Sequence, residues 1–276
     1  MNWFKLLRHD VIRGLLRCRY LLSILIFSIP CFTFASVLHR TEIQGSWMDY
    51  MLFLFQGKEP IIRSSISEQI DLPIFWLLVT VGCLILNLDY LLKDMTTAGQ
   101  QVIIRSKRRK SWYLSKCVWN IGSCMLYFLI AGVTCALFAV ITGSSLSFQN
   151  SPELTFTLFG FAVDKEMSID PIYALLASWI LPFLTITALS MFQMALCLFI
   201  KPVTSFVICI GQLILSIYWN SPFALGNGAM TIRSGFIANS GISPAASVLL
   251  AIVIIVISIL VGTIRFQYTD ILSLEE

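Results

Sequence analysis

Long apolar runs separated by short polar ones dominate this 276-residue chain. The runs at 20–38, 73–92, 117–141, 172–199, 203–219 and 244–264 each come close to the roughly 20 residues that an α-helix needs to cross a hydrocarbon layer about 30 Å thick, and they predict six spans. Pro30 and Pro182 fall inside the first and fourth, where neighbouring helices let a membrane helix tolerate a proline kink. Ahead of them, residues 1–19 place Phe4, Leu7, Val11 and Leu15 at helical spacing, with Lys5, His9, Arg13 and Arg17 four apart. That is the pattern of a basic amphipathic helix lying on a membrane surface.

The polar segments differ in kind. Residues 39–72 mix both signs of charge and enclose an aromatic stretch at 47–55 that is too short to cross a bilayer. This stretch predicts a helix that lies in the outer interface or dips back into the protein, or one that merely covers the bundle. Its Trp47, Tyr50, Phe53 and Phe55 are the candidate lid over a substrate path. Residues 143–171 carry Glu153, Asp164, Glu166 and Asp170 against Lys165 alone, and 200–202 is a tight turn. Residues 220–243 are rich in Gly and Ser with Arg233 as their only charge, which predicts a flexible outer segment, in part folded back.

Composition turns this pattern into a class. With 57% hydrophobic and 12% charged residues, against about 25% charged in soluble domains, the chain predicts an all-α integral membrane protein. It is a single domain over 1–276, with no room for a soluble catalytic module. The N-terminal helix holds five basic residues and the loop 93–116 seven, and Lys201 and Arg265 join them on one side. Only Arg40, Lys58, Arg63, Lys165 and Arg233 lie on the other. Lys and Arg resist translocation, so both termini and the loop 93–116 are expected in the cytoplasm. The one-sided positive charge is thus a topology signal and not a nucleic-acid surface.

Few residues carry candidate chemistry. The eight cysteines lie in or beside apolar runs with no Cys-x-x-Cys spacing, so they read as small core side chains. Asp89 sits at the end of a span, where pairing with the basic loop is expected, and Gln193 and Gln212 are expected to hydrogen-bond between helices. No phosphate-binding Gly-rich loop with its Lys is present, and the two histidines lie outside the spans on opposite sides. These features exclude an enzyme reading. A conducting channel would want polar stripes or charged rings along its spans, which these lack. An ATPase-independent channel or receptor-like scaffold stays as the alternative class. No internal repeat is visible between the halves, against an inverted-repeat transporter. In the loop 93–116, Val102, Ile103 and Ile104 place an apolar knob beside the basic cluster, suited to docking in a partner's groove. A solvated positive face is the plainer alternative.

The chain resembles the six-span permease subunits of type-2 ATP-binding-cassette exporters. The likeness rests on the basic helix 1–19 and on Asp94, Gly99, Ile103, Ile104, Arg105 and the closing Leu114, Ser115 and Lys116. Residues 221–228 and Thr269 to Leu272 extend it. Asp94 stands where the family commonly has Glu, and Gln100 where it commonly has Thr. The resemblance implies a coupling segment that uses Asp94, Gly99, Val102, Ile103, Ile104 and Arg105. It also implies a dimeric ATPase partner that binds ATP and Mg, so that this chain itself holds no cofactor. A second permease copy or a related permease, surrounding lipid and a bacterial plasma membrane complete the expectation. The aromatic stretch 47–55 looks closest to the permeases of peptide export and bacteriocin immunity, with lipid or drug export as the near alternative.

Overall fold

Each apolar run of the chain folds as a helix in the computed structural model, which describes residues 18–59, 72–88, 90–91, 109–159, 169–238 and 241–268. A 3-10 turn, Cys18–Tyr20, leads into α1 (Leu21–Thr41). It is followed by α2 (Trp47–Leu54), α3 (Ile74–Leu88) and α4 (Arg109–Ile141). The short α5 (Pro152–Phe159) precedes α6 (Pro171–Leu196), α7 (Pro202–Tyr218) and α8 (Pro244–Tyr268). Among the described residues there are no β-strands, only isolated bridges joining Ser46 to Ser145 and Ser234 to Ile242. Four helices, α1, α4, α6 and α8, are long and apolar enough to cross a membrane, whereas α3 and α7 are shorter, at 15 and 17 residues.

The helix termini differ from the limits of the apolar runs in an instructive way. The third run begins at 117, yet α4 begins at Arg109 and takes in the last basic residues of the loop 93–116. Lys and Arg are good helix formers, so hydropathy marks where the chain becomes apolar and not where the helix starts. At the far end, α6 opens on Pro171 behind Asp170, whose carboxylate accepts the Ile172 N–H at 2.8 Å. Leu176–Ile180 then forms a π turn, in which the Leu181 N–H donates to the carbonyl five residues back. Pro182 follows at once, and its ring cannot sit over the Ser178 carbonyl in a regular α-turn. The wide turn absorbs the conflict.

The bundle is apolar outside and mixed within. Phe32, Val133, Val207 and Leu249 point outward and exposed, while Thr185, Thr187, Ser190 and Gln193 of α6 are buried. α6 is the central helix. It packs on α3, α4 and α7, and most closely on α8. In lipid the hydrophobic effect does not favour one helix contact over another, so small residues and interhelical hydrogen bonds select the packing. The plainest instance joins α4 to α8. Tyr113 is fully buried against Gly262, where an added Cβ would come within 2.0 Å of the phenol oxygen. The Tyr113 hydroxyl donates to the Ser258 carbonyl. Trp112 stacks on Phe266 at 4.8 Å beside it.

Gly262→Leu is therefore expected to force Tyr113 out of its seat and destabilise the bundle by about 1–3 kcal/mol. Thermal unfolding in detergent measures this. Adding Tyr113→Ala to the same chain should return part of the loss, whereas an unchanged melting temperature for Gly262→Leu alone would show that α4 and α8 do not depend on this contact.

Candidate functional site

Between α1 and α3 the chain folds inward, and a buried carboxylate sets the point where it does so. The Ser46 hydroxyl accepts from the Asp49 N–H at 3.2 Å, and the Asp49 carboxylate accepts from the Ser46 N–H at 2.8 Å. This reciprocal cap starts α2. The carboxylate also accepts from the Ser46 hydroxyl and from the Ser151 N–H, which ties α2 to the segment before α5. Burial pushes the Asp49 carboxyl up to about 6, against hydrogen bonds from Ser46 and Ser151 that pull it down.

From that anchor four aromatic side chains enter the bundle. Trp47 donates its indole N–H to the Gly132 carbonyl at 3.0 Å, and the Tyr50 and Thr142 hydroxyls are 3.0 Å apart. Phe53 lies between Phe34 and Phe75, with ring centroids at 5.0 and 5.6 Å. Phe55 stacks on Phe128 at 5.4 Å. At 1.5 Å per residue, Gly132 and Phe128 sit roughly 15 and 21 Å along α4 from Thr142. The sequence left three places open for this stretch, and the structure puts it inside the protein. α2 and Phe55 form an aromatic plug in one half of the bundle.

The floor of the plug comes from a second segment. After Phe55 the chain turns at Gly57, whose φ of +76° suits glycine, and Met230 fills the space a Cβ would need. Thr231 and Ile232 donate their N–H groups to the carbonyls of Phe55 and Gln56. Arg233 lies between these strands of chain and α7, almost fully buried. Its Nε donates to the Lys58 carbonyl at 2.7 Å, and its Nη2 donates to the carbonyls of Ile217 at 2.7 Å and Glu59 at 3.2 Å. Its Nη1 donates to the Ser216 carbonyl and to Asn227 Oδ1. A guanidinium has five N–H donors, and all five are used. The Ser216 and Ile217 carbonyls belong to the last turn of α7, where the helix dipole favours a cation. Burial still lowers the Arg233 pKa to about 10, well above neutral pH. Residues 220–243, expected as a flexible segment in part folded back, thus hold two largely buried 3-10 turns, Leu225–Ala229 and Thr231–Arg233, while Pro222, Phe223 and Gly235 are exposed.

The opposite end of the bundle is polar and cationic. Asn87 on α3 donates to the Ser190 hydroxyl on α6 at 3.0 Å and accepts from the Ser123 hydroxyl on α4. Ser123 in turn pairs with the Tyr20 hydroxyl at 2.6 Å. Gln193 donates to the Leu84 carbonyl at 3.3 Å, as the sequence leads one to expect of an interhelical amide. Just beyond, Tyr90 stacks on Trp119 at 3.5 Å. The Lys116 ammonium lies 4.8 Å from the Tyr90 ring and 4.9 Å from that of Trp112, and Arg19 faces Tyr20, Tyr90 and Trp119. Asp94, Gly99, Val102, Ile103, Ile104 and Arg105, together with helix 1–19 up to Arg17 and Asp89, lie outside the described residues. Their described flanks, Leu91 and Trp112, meet in one cluster with Leu198 and Phe266.

Trp47, Tyr50, Phe53 and Phe55 are brought together as one plug. Sequence reasoning missed Arg233 and Asn87 as organising residues. A lone charge in a Gly-rich segment is a signal for the first, whereas Asn87 is one polar residue among many. Among the described residues no group of three or more His, Cys, Asp or Glu is placed to hold a metal ion. Cys31, Cys83, Cys117, Cys124, Cys135, Cys197 and Cys209 are free and buried.

Replacing Arg233 by Met should remove the donors that five acceptors share and destabilise the protein by on the order of 3 kcal/mol. Lys, with three donors, should recover only part of this, as unfolding followed by tryptophan fluorescence would show. Asp49 sets a pH dependence with a definite sign. Its folded pKa of about 6 exceeds the ordinary 3.8, so the native state holds more protons between those values and stability falls as pH rises through that window. Asp49→Asn should flatten the slope between pH 4 and 6. A slope that persists in this variant would place the titrating group elsewhere.

No curated protein and no solved structure matches the chain. Residues 26–272, which include the plug, the Arg233 cage and the flanks of the basic loop, match the family described as proteins of unknown function, DUF2705, and the chain belongs to that family.

Proposed function

We propose that this protein is the membrane-embedded permease subunit of an ATP-driven exporter, acting as a dimer with itself or a related permease. α3 and α7 complete six spans with α1, α4, α6 and α8, and both termini face the cytoplasm. Two ATPase subunits, which bind the ATP and Mg, dock on the loop 93–116 through Val102, Ile103, Ile104 and Arg105, with Asp94 and Gly99 shaping the segment. The observation that carries this reading is the packing of the loop's flanks. The first turns of α4 hold Trp112 and Tyr113 against Phe266 and Gly262 of α8, and Lys116 against Tyr90 just beyond α3. A push on the loop therefore reaches α3, α4 and α8 at once and loads the central helix between them.

The aromatic plug supports the same reading. A path lined by the buried aromatic rings of the plug suits a hydrophobic or amphipathic cargo. An antimicrobial peptide is the favoured class, and a lipid or drug the near one.

The test lies in the loop. With Ile103 and Ile104 both changed to Asp, docking would bury unpaired charge, at a cost of about 3 kcal/mol or more of binding. The permease should still insert and fold, yet purify without its ATPase and show no cargo-stimulated hydrolysis. A double variant that retains a full complement of ATPase would overturn the docking claim. Reversing Arg108 and Arg109 serves as the control, since it alters charge without touching the apolar knob.

A further inference from the structure

α7 and α8 both pack on α6 but make little contact with each other. The gap between them is a half-open groove of about 400 Å³, within the size range of small-molecule sites. It is lined by Leu189 and Phe192 of α6, by Ile208 and Ile257 at its exposed rims, and by Leu225 from the Arg233 segment. Both rim residues are about half exposed on the apolar outer face of the bundle, so the groove opens where lipid would be.

Two polar groups interrupt this lining. Ser258 is 3% exposed, lines the groove, and its hydroxyl has no hydrogen-bond partner. A serine in mid-helix commonly bonds the carbonyl one turn back, as Ser28 and Ser216 do here, but Ser258 does not. The Gln212 side chain also lines the groove, and no hydrogen bond engages its amide among the described residues. Water is scarce inside a bilayer, so a buried hydroxyl and a half-buried amide there stay unsatisfied unless a ligand or the protein supplies a partner. Alkyl chains cannot supply one.

We infer that this groove is a binding site for an elongated neutral lipophile that carries one amide, of the N-acyl lipid kind. Its chains would lie along Leu189, Phe192, Ile208 and Ile257. A secondary amide both donates and accepts, which matches a hydroxyl and a carboxamide that each do both. Among the described residues no charged side chain lines the groove, so none of them offers a charged headgroup a counter-ion there. The site requires neither an ATPase nor transport, and it stands or falls apart from the permease reading.

The test uses the full chain in nanodiscs of phosphatidylcholine. The probe is a fatty N-alkyl amide with a diazirine on its acyl chain, compared with a diazirine-bearing hydrocarbon of equal length. Amide-probe labelling should saturate and map to α7 and α8 near Gln212 and Ser258. The double variant Ser258→Ala with Gln212→Leu should weaken amide-probe binding about tenfold while leaving the hydrocarbon unchanged. Ile257→Trp, at a half-exposed position that tolerates a larger side chain, should block both probes. Circular dichroism and a monodisperse elution profile would show that each variant is folded. Labelling that does not saturate and spreads over all lipid-facing helices would overturn the site. So would an amide affinity unmoved by the double variant, or cross-links in the groove to a helix of a second copy.

Discussion

The cage around Arg233 is the interaction on which one half of this protein depends. One guanidinium closes the last turn of α7, holds the chain that leaves the aromatic plug, and fixes the 3-10 segment ahead of α8. It does this with carbonyl dipoles and a single amide, and among the described residues no carboxylate is hydrogen-bonded to it. That choice has a physical reason. A buried ion pair requires two desolvated charges held in good geometry, whereas orphan carbonyls at a helix end need donors in any case. A single cation meets both needs together.

The plug and the basic end solve the same problem by different means. At the plug, aromatic rings fill volume, and their polar edges reach carbonyls or hydroxyls, as Trp47 and Tyr50 do. At the basic end, Asn87, Ser123, Ser190 and Tyr20 satisfy one another across four elements, and aromatic faces hold Lys116 and Arg19. Between them runs α6, polar and apolar on all sides, with a π turn before Pro182. From Leu181 onward most of its residues are buried, and neighbours packed this closely leave a helix little room to relax. The groove between α7 and α8 is where that packing is looser.

The sequence alone determined the broad architecture. A run of about 20 apolar residues has few alternatives to a helix in lipid, since every backbone group must find its partner within the segment. That the short aromatic stretch is not a span was legible too, because eight or nine residues cannot cross a bilayer. The basic asymmetry likewise follows from composition.

Only the tertiary structure decided what the polar residues do. Arg233 reads as one exposed charge in a flexible loop until the carbonyls of Lys58, Glu59, Ser216 and Ile217 are brought around it from two distant stretches of chain. Asn87 and Ser190 are more than a hundred residues apart and nothing local pairs them. Gly262 is one small residue in an aliphatic helix until Tyr113 is seated on it. Hydropathy is a property of segments and survives in a linear reading. Hydrogen-bond partnership and close packing between helices depend on long-range register, which packing sets in three dimensions.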